Sequence, residues 1–323
     1  MQIHAKTVNR SVDSETFAFL IMAEAGIIAE QATLLCESIR RFGGRYANAD
    51  IAVISPRPDK RPSANILRKL EELNAAYIPL NIVSPCPEYG SSFRVLASAE
   101  YERMSNADTL ICLDSDSVFL GEPDLALKGN DAAVRPVDVK GMCTTGASDP
   151  YDAYWKKLCD VCETDYEMIP YVTTTVDKQL VKASYNGGFV IVRRNQEVFQ
   201  RTASYFQRSV KAGMRPYAGQ NIRVRAGYGL VSYEGSEYWG SSQACLSLAL
   251  WCSGLSVRTL SPTLNFPLHF YEQFLPEIEK GILSNIVHVH YHHLFFPTSA
   301  NAIIDGHPGF PSEGVSWLRE RLG

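Results

Sequence analysis

The sequence predicts an α/β fold built on a mostly parallel sheet with helices on both faces. Apolar runs of strand length alternate with amphipathic stretches of helix length through the first third of the chain. The runs are continuously apolar, as strands covered on both faces are, instead of alternating apolar with polar. The chain has 323 residues, 46% hydrophobic and 20% charged, which is long enough to bury such a sheet.

In order, "TFAFLIMA" (16–23) reads as a strand and roughly Ile28 to Phe42 as a helix. "DIAVIS" (50–55) with Ala64 to Leu73, and "AAYIPLNIV" (75–83) with Ser91 to Met104, repeat the unit before a fourth strand, "TLICLD" (109–114). The rhythm breaks after residue 121. There follow a strand "DAAVRPV" (131–137), an irregular stretch to about Val181, a strand in "GGFVIVRR" (187–194) and a helix from about Glu197 to Lys211. A Gly- and Tyr-rich loop over 213–236 precedes a helix from about Ser236 to Cys252, a strand near "LSVRTLS" (255–261), and a last strand "NIVHVHY" (285–291) before a tail. No repeat, low-complexity segment or Pro-rich linker divides the chain, so residues 1–323 are expected to form a single domain with halves 1–121 and 122–323.

Composition narrows the function. A formal charge of −4 supplies no basic field for nucleic acid. The apolar run "FAFLIMA" (17–23) is far too short to span a bilayer, and Asp13 and Glu15 interrupt any leader upstream of it. The eight cysteines fall mostly within expected strands and helices, without the density of a disulfide scaffold, so a reducing, cytoplasmic location is expected. Cys159 and Cys162 make a C-x-x-C on a helix-like segment with no second pair beside it, too little for a structural zinc site.

The chemistry gathers at "LICLDSDSVFLGEPD" (110–124), where an apolar strand runs into Asp114, Ser115 and Asp116. Residues i and i+2 of a strand share a face, so the two carboxylates repel unless a cation, a proton or a turn separates them. Hard oxygen ligands suit Mg²⁺ or Mn²⁺, and those ions suit a diphosphate. A plain Asx-type turn explains the same residues without a metal.

The local pattern resembles two enzyme families. "ICLDSDSV" is similar to the motif of haloacid-dehalogenase-like phosphatases, which would make Asp114 a nucleophile. The same residues resemble the D-x-D of GT-A glycosyltransferases, which holds a metal and the diphosphate of a nucleotide sugar. In the phosphatases the motif usually closes the first strand; here it closes the fourth, and "SDPYD" (148–152) follows no apolar strand. Three downstream features resemble the GT-A group over most of the chain, especially family 8 of the glycosyltransferases: "YNGGFVIVRR" (185–194), the helix "SEYWGSSQACLSLALW" (236–251) and "NIVHVHYHHLF" (285–295).

The resemblance implies a Rossmann-like GT-A fold, a nucleotide-sugar donor, a UDP-sugar above all, and an Mn²⁺ or Mg²⁺ ion. The acceptor is a carbohydrate or other hydroxyl compound, and family 8 membership would imply retention of configuration. The first half would bind the donor and the second the acceptor. The metal ligands are Asp114, Asp116 and His290, with His288 and His292 as alternatives. Asn186, Gly187 and Gly188 would face the sugar, the glycines letting it approach the backbone. Gln243 takes the place of the family's Asp-Gln pair; Ser242 stands where the Asp would be, so Glu237 is its possible substitute. The family's Lys-Pro-Trp after the histidine is absent, which leaves Arg94 as the candidate for the diphosphate. Ala23 and Glu24, with Ser115, complete the donor site, and Tyr217, Tyr228, Tyr233, Tyr238 and Trp239 offer stacking faces to an acceptor sugar. The remaining alternatives are the phosphatase, a non-catalytic sugar-binding protein of the same fold, and, from "HVHYHH" (288–293), a zinc hydrolase.

Overall fold

The computed structural model describes residues 15–226, 229–290 and 308–322. The first half runs β1 (Phe17–Met22), α1 (Ile27–Phe42), β2 (Asp50–Ser55), α2 (Ala64–Glu72), β3 (Ala75–Pro79), α3 (Ser91–Met104), β4 (Thr109–Leu113) and β5 (Ser117–Phe119). The second runs β6 (Ala132–Pro136), α4 (Asp152–Cys162), β7 (Tyr171–Thr173), β8 (Leu180–Lys182), β9 (Tyr185–Arg193), α5 (Val198–Lys211), β10 (Arg225–Ala226), β11 (Gly229–Leu230) and the four-residue α6 (Tyr233–Ser236). The chain continues with α7 (Ser241–Trp251), β12 (Val257–Thr259), β13 (Phe266–Pro267), α8 (Tyr271–Glu279), β14 (His288–His290) and α9 (Ser312–Leu322).

Seven strands form the main sheet in the order β12-β6-β9-β4-β1-β2-β3. All its pairings are parallel except those of β9, which runs antiparallel to both β4 and β6. Alternate residues of β1 enter opposite faces, as strand geometry requires. Phe19 and Ile21 pack with α1, Leu70 of α2 and Trp317 of α9, whereas Ala18 and Leu20 pack with α3, α4, α5 and α7. A small sheet, β13-β14-β5, lies on the first of these faces. Among the described residues no helix is long and apolar enough to cross a membrane.

Several elements depart from the sequence reading. The stretch expected to be irregular up to Val181 contains α4 and the β7–β8 hairpin. The tail holds α9, and α8 was not foreseen because Pro276 lies inside it. The helix expected from Ser236 begins at Ser241: Gly240, at φ +83°, breaks the chain's path and leaves Trp239 in the turn before it. β4 ends at Leu113, so Asp114 and Asp116 lie in the turn to β5 and not on a strand face.

Candidate active site

β1, β2 and β4 are neighbours in the sheet, and the residues after their carboxyl ends line one open pocket of about 600 Å³. Its wall includes Glu24 after β1, Arg57 after β2, and Asp114, Ser115 and Asp116 after β4. The second half contributes Asn186, Gly187 and Gly188 of β9, Gln243 of α7, and His290.

The turn after β4 is set by two bonds. The Asp114 amide donates to the Gly188 carbonyl at 2.9 Å, and the Ser117 hydroxyl donates to the Asp114 carbonyl at 2.8 Å. β5 then pairs antiparallel with β14, with Ser117 opposite His290. That pairing puts His290 Nε2 3.5 Å from Asp114 Oδ2 and 3.4 Å from Asp116 Oδ1. One ligand atom from each of the three residues lies within 4.8 Å of the others, and no other such group occurs among the described residues.

Charge organises this floor. Arg94, the fourth residue of α3, places Nη1 3.2 Å from Asp114 Oδ1 and also donates to the Gly187 carbonyl. Burial by itself would raise the Asp114 carboxyl, but the Arg94 guanidinium and then the His290 imidazole outweigh it and hold it at about 2. Burial likewise opposes the charged form of His290, yet hydrogen bonds to Asp114 and Asp116 raise its pKa to about 9.

The glycines of "NGG" serve these side chains. A Cβ on Gly188 would stand 2.7 Å from Asp114 Oδ2 and 2.9 Å from His290 Nε2, and one on Gly187 would stand 2.6 Å from an Arg94 nitrogen. Neither glycine has a left-handed φ, so room for side chains, and not backbone conformation, explains both. The Asn186 Oδ1 accepts from the Gly188 amide at 2.8 Å, closing a local turn.

His288 is fully buried between the Phe119 and Phe189 rings, and its Nδ1 accepts from the Asn265 amide at 3.2 Å. It belongs to the packing beneath the site, and burial keeps it neutral. His292 and Tyr228 lie outside the described residues. Ala23 does not reach the pocket: it is buried, with its amide on the Ile54 carbonyl at 2.9 Å. Tyr217 and Trp239 line the pocket, whereas Tyr238 is buried against Tyr89 and Tyr233 lies outside the wall. Glu237 does not substitute for the missing Asp. It accepts from Arg215 Nη1 and from the Gly219 amide, each at 2.7 Å, beneath the 213–236 segment.

Among the wall residues that were missed are Arg57 and Gln31. Arg57 binds both oxygens of Glu24 and lies 4.2 Å over the Phe93 ring. Its place just after a parallel strand, like that of Glu24, was the available signal. Gln31 is buried in α1 with neither carboxamide atom hydrogen-bonded to any described residue. A polar residue on the apolar stripe of Ile27, Ile28, Leu34 and Leu35 could have flagged it.

The phosphatase alternative calls for a lysine beside Asp114, and the residue there is Arg94. The zinc alternative fares no better among the described residues, since His288 is packed between Phe119 and Phe189 while His290 meets the aspartates, and Cys159 and Cys162 are buried on α4 with thiols pushed up to about 12 and about 11.

A family model described as a Rhodobacterales glycosyltransferase domain matches residues 19–223, more than half of the chain. The protein belongs to this glycosyltransferase family. Among solved structures, the glycosyltransferase is similar to the galactosyltransferase LgtC, crystallised with donor and acceptor sugar analogues. The match has a TM-score of 0.50 at 12% identity and covers 94% of this chain and 96% of that one. At that identity the likeness is one of fold, and the fold is GT-A. No curated protein matches the sequence.

Proposed function

We propose that this glycosyltransferase moves a sugar from a nucleoside-diphosphate donor, a UDP-sugar in the first instance, to a hydroxyl of a carbohydrate or other acceptor. Asp114, Asp116 and His290 would hold the divalent cation it requires, Mn²⁺ or Mg²⁺. The observation that carries the proposal is the convergence of these three side chains on the pocket floor. Two carboxylates and an imidazole suit these ions, and separations of 3.4 and 3.5 Å approach the roughly 3 Å edge of an octahedron with ~2.1 Å bonds. When bound, the cation supplies Lewis-acid charge to the departing diphosphate.

The chain's own groups divide the remaining work. Arg94 offers a fixed guanidinium beside Asp114 for the same phosphate oxygens. Glu24, Arg57 and Gln31 form the wall for the nucleoside at the ends of the first two strands. Gln243, with Asn186, would orient the sugar and acceptor hydroxyls, and Tyr217 and Trp239 give the acceptor aromatic faces. The GT-A fold is one in which a galactosyltransferase holds donor and acceptor analogues, which supports this use of the pocket. Strands from both halves share the main sheet, which supports one domain with a donor half (1–121) and an acceptor half (122–323). The eight cysteines are free thiols, seven of them buried, which supports a reducing, cytoplasmic location.

The test is thermal stabilisation by a panel of nucleotide sugars with and without Mn²⁺, repeated on Asp116→Ala. A ligand that binds only the native state adds about 2.7 kcal/mol at a hundredfold excess over Kd. The expected result is a metal-dependent shift with a UDP-sugar that the variant loses. No metal-dependent shift with any donor would refute the proposal.

A further inference from the structure

Among the described residues, two cations of the pocket wall have no anion to answer them. Arg223 and Arg225 line the pocket, are exposed, and form no ion pair with any described carboxylate. Every other Asp, Glu, Arg and Lys of the wall is matched. The pairs on the floor and at Glu24 are given above, Asp138 meets Arg135 at 2.5 Å, and Lys140 meets Asp149 at 2.9 Å. On a protein of net charge −4, a doubly positive lip at one pocket mouth is a directed feature.

The lip is also held in place. Buried Glu237 ties Arg215 and the Gly219 amide at the base of the segment, and the Val231 amide donates to the Val224 carbonyl at 2.9 Å across the β10–β11 hairpin. Gly235 sits directly against the Glu88 carbonyl just before α3, close enough that a Cβ would not fit. Arg225 is therefore presented from an anchored hairpin, with Arg223 two residues before it. Positions i and i+2 of an extended chain lie about 7 Å apart on one side, so two forks can grip one anionic group or two adjacent ones.

We propose that Arg223 and Arg225 form an anion subsite that engages a phosphate or carboxylate carried into the pocket by a substrate. The proposal rests on the glycosyltransferase reading of the same pocket. Two substrates can bring that anion: the donor, through its diphosphate, or an acidic acceptor sugar. The charge balance makes the donor a real source. Asp114 and Asp116 would neutralise a divalent cation, which among the described residues of the wall leaves Arg94 as the fixed surplus charge against a diphosphate that gains a further negative charge on leaving.

The test compares wild type with Arg223→Gln/Arg225→Gln, and with the corresponding double lysine variant, by calorimetric titration in Mn²⁺. The probes are inorganic pyrophosphate, UDP and uridine, then glucuronate and glucose 6-phosphate against glucose with UDP bound. If the donor is the source, the glutamine variant binds pyrophosphate and UDP at least tenfold more weakly and uridine unchanged. The lysine variant then falls between, because it keeps charge without the fork. If an acidic acceptor is the source, UDP binding stays at the wild-type value and the preference for glucuronate or glucose 6-phosphate over glucose disappears. Unchanged affinity for every probe, in a variant with the wild-type melting temperature, would overturn the subsite. Failure of the wild type itself to bind UDP or pyrophosphate in Mn²⁺ would instead count against the glycosyltransferase reading of the pocket.

Discussion

Gly188→Ala is the most informative single substitution, because it introduces one methyl at the centre of the three proposed ligands. The new Cβ would lie 2.7 Å from Asp114 Oδ2 and 2.9 Å from His290 Nε2, and closer still to His290 Cε1. Neither neighbour can retreat easily. The Asp114 carboxylate is held by Arg94 Nη1 at 3.2 Å, and His290 is 3% exposed in a strand paired on both sides. Overpacking of this kind costs about 1–3 kcal/mol, and the imidazole relieves it by swinging away from the aspartates. Losing one ligand of three is expected to weaken Mn²⁺ binding by about a hundredfold or more, ~2.7 kcal/mol. The strand should survive, since Gly188 has an ordinary φ. The assay is Mn²⁺ titration by calorimetry, with circular dichroism as the control for folding. Gly187→Ala provides the contrast: the three atoms nearest its Cβ all belong to the Arg94 guanidinium and none to a proposed metal ligand, so Mn²⁺ affinity should hold while diphosphate affinity falls. Wild-type Mn²⁺ affinity in folded Gly188→Ala would refute the site.

Three further outcomes are expected. Without metal His290 keeps its proton up to about pH 9, so Mn²⁺ must displace that proton below this pH. Mn²⁺ affinity should then rise up to about tenfold per pH unit and level off above pH 9, and calorimetry in buffers of different ionisation enthalpy should count one released proton that His290→Ala abolishes. Glu102 of α3 caps α5, accepting from the Phe199 and Gln200 amides at 3.3 and 2.8 Å, but burial raises its carboxyl to about 7. The raised acid binds its proton more tightly when folded, so its contribution is complete below about pH 4.5 and lost as the pH climbs to 7, up to about 3 kcal/mol. Urea unfolding at pH 5 and pH 8 measures that loss, and Glu102→Gln should flatten it. Gln31→Met removes a buried carboxamide that has no partner among the described residues and should stabilise the unliganded protein by about 1–3 kcal/mol. The same variant should weaken uridine binding and leave pyrophosphate binding unchanged, both readable by calorimetry.

Local pattern was enough to place the first four strands and their helices, because continuous apolar runs and a 3.6-residue stripe are properties of neighbours in the chain. It also located Asp114 and Asp116, since charge at the end of a buried strand is conspicuous in one dimension. It gave α4 only as a helix-like segment around Cys159 and Cys162, and it did not reveal α8, which carries a proline, α9, or the start of α7, where one left-handed glycine sets the boundary. Nor could it choose among the histidines. His288 and His290 share a strand face two residues apart, so the alternation that flags one flags the other. Only the pairing of β14 with β5 separates them, bringing His290 to the aspartates and leaving His288 between Phe119 and Phe189. "NGG" illustrates the same limit. The glycines were visible at once, but what fills the space beside them is decided by a helix 90 residues upstream and a strand 100 residues downstream. A sequence records which side chains are absent at a position; distance in space decides which other side chains need that room.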